Sequence, residues 1–186
     1  MPELRQQMRL YHGSYCKVSS PDLSKCSRYK DFGQGFYLTS SIEQARSFAK
    51  ISTGKAIARD VISHQNYGVV STFICVDPGS LVVCDYQTAD VDWLHCVVGH
   101  RRNHFFPEVV REMLKYDVIS GKIANDDTNV TITAYLDGVF GETGSAHADD
   151  ICISLLLPER LQDQFCFRTN KALKTLVFNG SESVWL

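Results

Sequence analysis

The sequence predicts a single α+β domain in which short strands are mixed with helices. Three observations carry this. The chain has 186 residues, within the roughly 100–200 of one domain. Hydrophobic residues make up 44% and charged residues 22%, which suits a packed core. The β-rich runs are short and do not alternate regularly with helices, as a doubly wound parallel sheet would require. No repeat, low-complexity stretch or linker divides residues 1–186.

Residues 9–12 read as a strand ending at Gly13, and residues 19–30 as a polar loop with Pro21, Asp22 and Ser24. Residues 35–39 form a second, aromatic strand. Ser40 or Ser41 caps a helix with Glu43 and Gln44 in its first turn. Ala45, Phe48 and Ala49 give that helix an apolar stripe. Residues 68–76 are a β-rich run that stops at Asp77-Pro78-Gly79, a turn signal. Residues 81–84 and 116–120 read as strands, residues 91–98 and 108–114 as helices. A polar loop follows at 125–129, and residues 131–136 fit helix or strand equally. Residues 146–157 read as a helix closed by Pro158. Residues 164–168 are a strand, 171–173 a helical turn and 175–178 a last strand. Residues 179–186 read as a loose tail on which Trp185 can dock.

Several function classes fall away. No run approaches the ~18 apolar residues of a membrane helix, so no membrane partner is expected. Residues 1–10 are polar, with no apolar signal-peptide region. The seven cysteines are odd in number and form no Cys-x-x-Cys pair, so reduced thiols in a cytoplasmic protein are expected. Net charge is −2, which argues against a broad nucleic-acid surface. The charge is uneven: residues 1–60 carry +5 and residues 61–186 carry −7. A basic wall suits an anionic ligand such as a pyrophosphate, and it suits a solvated surface equally. Gly33-x-Gly35 lacks the third glycine of a dinucleotide fingerprint, and residues 141–145 lack the lysine of a phosphate loop. Cys96, His100 and His104 stand at helical spacing beside His95, but Gly99 weakens that helix and no fourth ligand stands at a zinc spacing. Asn125-Asp126-Asp127-Thr128-Asn129 lacks the glycine and terminal glutamate of an EF-hand and reads as a capping and turn loop. No metal is expected.

Two segments stand 20 residues apart near the start: Tyr11-His12-Gly13-Ser14 and Asp31-Phe32-Gly33-Gln34-Gly35-Phe36-Tyr37-Leu38-Thr39. Together with the helix opening at Ser40, this arrangement resembles the ADP-ribosyltransferase superfamily. It is similar to the diphtheria-toxin and poly(ADP-ribose) polymerase branch, whose signature is His, Tyr and Glu on three strands. Tyr116-Asp117-Val118-Ile119, the 125–129 loop and Asp163-Gln164-Phe165-Cys166-Phe167-Arg168-Thr169 look like a bacterial family of uncharacterised proteins of that superfamily. The likeness covers residues 9–178.

The resemblance implies a split β-sheet core with surrounding helices and NAD, as substrate, in the cleft between the sheets. It implies cleavage of the nicotinamide–ribose bond through an oxocarbenium-like transition state. ADP-ribose then passes to an acceptor, macromolecular or small, that the sequence does not identify. His12, Tyr37 and Gln164 fall at the catalytic positions. His12, Gly13, Ser14, Tyr37 and Phe48 fall at the NAD-binding positions. His12 is assigned to a hydroxyl of the adenosine-side ribose. Gly13, without a side chain, lets its backbone approach the carboxamide. Tyr37 and Phe48 stack on the nicotinamide, worth about 0.5–1.5 kcal/mol beyond burial. Each also has a plainer reading. His12 fits a satisfied strand histidine, Phe48 core packing and Ser14 a turn former.

Gln164 departs from the signature, since glutamate stands there in the superfamily. An amide accepts a hydrogen bond from a ribose hydroxyl but cannot offset an oxocarbenium charge. Asp163 cannot replace it, because adjacent strand residues face opposite ways. Asp126, Asp127, Glu142, Asp149 and Asp150 are candidate replacement carboxylates. The alternatives to transfer are an NAD-binding regulatory module and an NAD glycohydrolase. Gln164→Glu is expected to raise nicotinamide release by up to about a hundredfold if the charge is missing. If another carboxylate fills the role, activity falls or stays flat.

Overall fold

A computed structural model describes residues 2–102, 104–123, 126–157 and 161–186, with the side chains of Asp126 and Asp127 left aside. Among these residues the fold is α+β, with two sheets and six helices. Strands β1 (Arg9–Ser14), β3 (Tyr67–Cys75) and β7 (Leu176–Trp185) form an antiparallel sheet in the order β1-β3-β7. Strands β2 (Phe36–Leu38), β4 (Val83–Asp85), β5 (Val118–Lys122) and β6 (Asp163–Phe167) form the second sheet in the order β2-β6-β5-β4. Its β4–β5 pair is parallel and the others antiparallel. The sheets meet where Tyr11 N–H donates to Thr39 O at 2.9 Å and Thr39 N–H to Tyr11 O at 3.0 Å.

The alternation of β6 divides the interior. Phe165 and Phe167 pack with Phe36, Leu38, Leu10 and Phe73 in a core shared by both sheets. Cys166 faces the other way, into a core with Trp93, Leu94, Ile119, Tyr135 and Cys152. Helices α2 (Val91–Arg101), α4 (Asp126–Leu136) and α5 (Ala146–Leu156) cover that side. Full burial of each Phe side chain contributes about 1.5–3 kcal/mol. Helix α1 (Ile42–Ala58) lies on the outer face of the first sheet, with Ala45 and Ala49 against Val70 and Tyr11. Ser41 caps it, its Oγ accepting from Gln44 N at 3.2 Å. The short helices α3 (Pro107–Met113) and α6 (Asn170–Leu173) complete the chain.

Two sequence expectations need correction. The tail is not loose: β7 runs through Trp185, pairing Glu182 with Val70 and Trp185 with Tyr67. Main-chain hydrogen bonds hold its polar stretch, and these require no apolar alternation. The ladder shifts register between Ser71 and Phe73, absorbing one extra residue of β7. The 125–129 loop is helical from Asp126 onward, with Asn125 outside the described residues. Thr128, Ile132 and Tyr135 are buried at spacings of four and three, which places 131–136 in helix rather than strand. Pro158 also lies outside the described residues. No helix among the described residues is long and apolar enough to cross a membrane.

Candidate functional site

His12 sits on β1 one residue past the bridge that joins the sheets. Its Nδ1 donates to the main-chain oxygen of Tyr37 at 2.8 Å. A carbonyl only accepts, so Nδ1 carries the proton and Nε2 presents a lone pair. Burial holds this imidazole below its ordinary 6.5, opposed in part by the same hydrogen bond. The ring lies 4.5 Å from that of Phe36, tilted by 35°. Ser14, two residues on, is buried on the same side of β1.

Gly13 faces the opposite side, and there α1 occupies the place of a side chain. A Cβ on Gly13 would lie 2.0 Å from Ala45 O and 2.7 Å from Ala49 N. The missing side chain therefore serves the contact with α1. The alternation of β1 still turns the N–H and C=O of Gly13 to the same edge as those of Tyr11. That edge lies beyond the bridge, where the two strands have parted.

Tyr37 points to the helical side of β2, opposite Cys166. Its hydroxyl donates to Gly33 O at 2.8 Å and accepts from Phe32 N at 2.9 Å. The phenol thus ties the end of the residues 32–37 turn back to its start, and burial holds it well above its ordinary range. Gly33 has φ +75, and a Cβ there would lie 2.5 Å from Cδ2 of His100. The first glycine of the Gly-x-Gly pair is set by this turn and this close approach. Phe48 is exposed on α1, one turn beyond Gln44. It makes no ring contact with Tyr37 among the described residues.

Gln164 shares the Tyr37 face, since Tyr37 pairs with Cys166 two residues along β6. It is buried, and its Nε2 donates to Asp31 Oδ2 at 2.8 Å and to Lys122 O at 3.1 Å. Asp31 Oδ1 receives Nε and Nη2 of Arg101 at 2.9 and 2.6 Å. Asp163 faces away, accepting from Thr39 Oγ1 at 2.8 Å, from Ser40 N at 2.9 Å and from Ser40 Oγ. It anchors the start of α1. The three candidate residues are therefore joined through β2. Gln164 lies on the side-chain face of Tyr37, and His12 contacts the main chain of Tyr37.

The carboxylates singled out from the sequence are elsewhere. Glu142 and Asp150 are exposed. Asp149 is buried between His95 Nε2 at 2.9 Å and the hydroxyl of Tyr135. The side chains of Asp126 and Asp127 lie outside the described residues. The carboxylate that reaches Gln164 is Asp31, which sequence reasoning missed as a site residue although it opens the second motif. The Cys96–His100–His104 spacing does not become a helical face, because α2 ends at Arg101. Instead His100 Nδ1 donates to Cys96 O at 2.9 Å. Among the described residues no three His, Cys, Asp or Glu side chains are grouped to hold a metal ion.

A pH dependence follows. Burial depresses both His12 and His100 from 6.5. Each is neutral in the fold and takes up a proton more readily when unfolded. Their contribution is present above about pH 6.5 and is lost as pH falls through the depressed folded values. Urea midpoints should drop between about pH 7.5 and about pH 5.5. Equal midpoints would show that the two rings are not buried as described.

No curated protein and no solved structure matches the chain. A family model described as a protein of unknown function (DUF3990) matches residues 8–178, and the chain belongs to that family.

Proposed function

We propose that the chain binds NAD where β1 and β2 part, and cleaves its nicotinamide–ribose bond to transfer ADP-ribose to an acceptor. The observation that carries this reading is the 2.8 Å hydrogen bond from His12 Nδ1 to the carbonyl of Tyr37. It locks the two motif residues together and leaves His12 Nε2 as an acceptor for a ribose hydroxyl. The Gly13 edge supplies N–H and C=O groups complementary to a carboxamide. The ring of Tyr37 is the stacking surface, and Phe48 is the partner from α1. In the reaction the C1′–N bond breaks, its electron pair leaving with nicotinamide. The acceptor oxygen or nitrogen bonds C1′ and releases its proton. The buried cysteines 75, 96, 152 and 166 are free thiols, which suits the reducing cytoplasm.

A second reading has its own support. Gln164 carries no charge, and the carboxylate beside it is paired with Arg101. An NAD-binding module without turnover fits that neutrality, and an NAD glycohydrolase needs only water as acceptor. Labelled NAD separates the three: label on a macromolecule means transferase, free ADP-ribose means hydrolase, and intact NAD means a binding module.

Calorimetric titration tests the pocket itself. Tyr37→Ala should weaken NAD binding about tenfold or more, as a lost aromatic stack and its buried area require. Tyr37→Phe keeps the ring but releases Gly33 O and Phe32 N, so it isolates the bracing of the turn. Equal affinity in wild type and Tyr37→Ala, or no heat in either, would remove NAD from this site.

A further inference from the structure

We infer that the partly buried Asp31–Arg101 ion pair is a positioning pair for Gln164, holding its amide so that the carbonyl oxygen is left without a protein donor on the face that carries Tyr37. The inference deepens the proposed NAD reading, because it names what sets the third signature position. Three elements converge on it: the turn before β2 brings Asp31, the last turn of α2 brings Arg101, and β6 brings Gln164.

The amide orientation follows from donor and acceptor chemistry. Nε2 has two protons, and two acceptors meet it: Asp31 Oδ2 at 2.8 Å and Lys122 O at 3.1 Å. Lys122 O also receives Trp93 Nε1 at 2.9 Å, so both of its lone pairs are engaged. A flipped amide would set Oε1 against a carboxylate oxygen and a carbonyl oxygen, with no proton between them. The amide is thus held in one orientation. Oε1 accepts no hydrogen bond among the described residues, and it lies on the strand face that carries Tyr37. It is left to accept a hydroxyl of the ligand. Arg101 in turn holds Asp31 by two nitrogens on one oxygen and reaches Asn129 Oδ1 at 2.9 Å. A fork so braced turns Asp31 Oδ2, rather than Oδ1, toward the amide. Asp31 and Arg101 touch no reacting atom in this scheme and act through Gln164.

The side-chain amide of Gln164 reports on this directly, without NAD. In a nitrogen–proton correlation spectrum of the wild type, its two protons should resonate downfield and exchange slowly. The resonances are assigned by their loss in Gln164→Glu. Asp31→Asn replaces one acceptor oxygen by a group that cannot serve Arg101 and Gln164 together. The Gln164 protons should then move toward ordinary glutamine shifts and exchange about tenfold faster or more. Arg101→Lys, which keeps the cation, should retain most of the wild-type signature, and Arg101→Met should lose it. If Asp31→Asn does not fold, the double variant Asp31→Asn/Arg101→Met removes both charges together and carries the same readout. An unchanged Gln164 signature in either folded variant overturns the positioning role. Nicotinamide release, followed in parallel, tests the other reading. A fall in kcat with Asp31→Asn that Arg101→Lys does not share supports the pair as a positioning device. Absence of release in the wild type counts against NAD turnover alone, and the amide signature still decides the pair.

Discussion

Gln164→Glu is expected to destabilise the fold and to leave nicotinamide release flat or lower. The new carboxylate oxygen would take the place of Nε2, 2.8 Å from Asp31 Oδ2 and 3.1 Å from Lys122 O. Two donated protons would be lost and a like charge added in a buried position. The expected cost is about 3 kcal/mol near pH 8, measured by chemical denaturation. The neighbouring carboxylate and burial raise the folded pKa of the introduced carboxyl group above its unfolded value of about 4.3. The protonated form of that group donates to Asp31, so the variant is closest to wild type at low pH and loses stability as pH rises through the raised pKa. A penalty that does not grow between about pH 5 and about pH 8 would show that Asp31 does not face this position. Of the two outcomes expected from the sequence, the geometry favours flat or lower release, because the added charge would face Asp31.

Gly13→Ala is expected to cost about 3 kcal/mol, at the upper end of overpacking. The added Cβ would meet Ala45 O at 2.0 Å and Ala49 N at 2.7 Å, and both belong to the main chain of α1. No rotamer change relieves that contact, so β1 and α1 must separate. The separation moves the edge that bears the Gly13 N–H and C=O, and NAD affinity should fall with stability. A denaturation midpoint within about 1 kcal/mol of wild type would mean that α1 yields easily and that another residue at position 13 is admissible.

The parts of this fold that are legible in the sequence are those with a local physical signature. Ser41 with Gln44 announces the start of α1, and the turn Asp77-Pro78-Gly79 announces the end of β3. The polar half of β7 is not legible, because its place depends on the ladder with β3 and not on its own side chains. Residues 131–136 fit two patterns by themselves, and only the shared buried face of Ile132 and Tyr135 makes them helix. At the candidate site, His12, Tyr37 and Gln164 are each singled out as candidates by motif. Their environment is not, since Asp31 and Gln164 meet across 133 positions and Arg101 enters from a helix with no motif of its own. For Gly13 the sequence marks the position but not the reason for the missing side chain, because it does not say which side of a strand a helix will occupy.

The partner that orients His12 is a peptide oxygen, and this has a genetic consequence. Every amino acid at position 37 supplies the same carbonyl, so no codon change at that position deletes the acceptor outright. A mutational scan should therefore find position 12 intolerant while its partner stays invisible as a partner. Losses at position 37 will report its side chain alone, the ring together with the hydroxyl that braces Phe32 and Gly33. For the experimenter this is an advantage: substitutions at Tyr37 that preserve the backbone alter the stacking surface while the histidine keeps its tautomer, and the two contributions come apart without a compensating change.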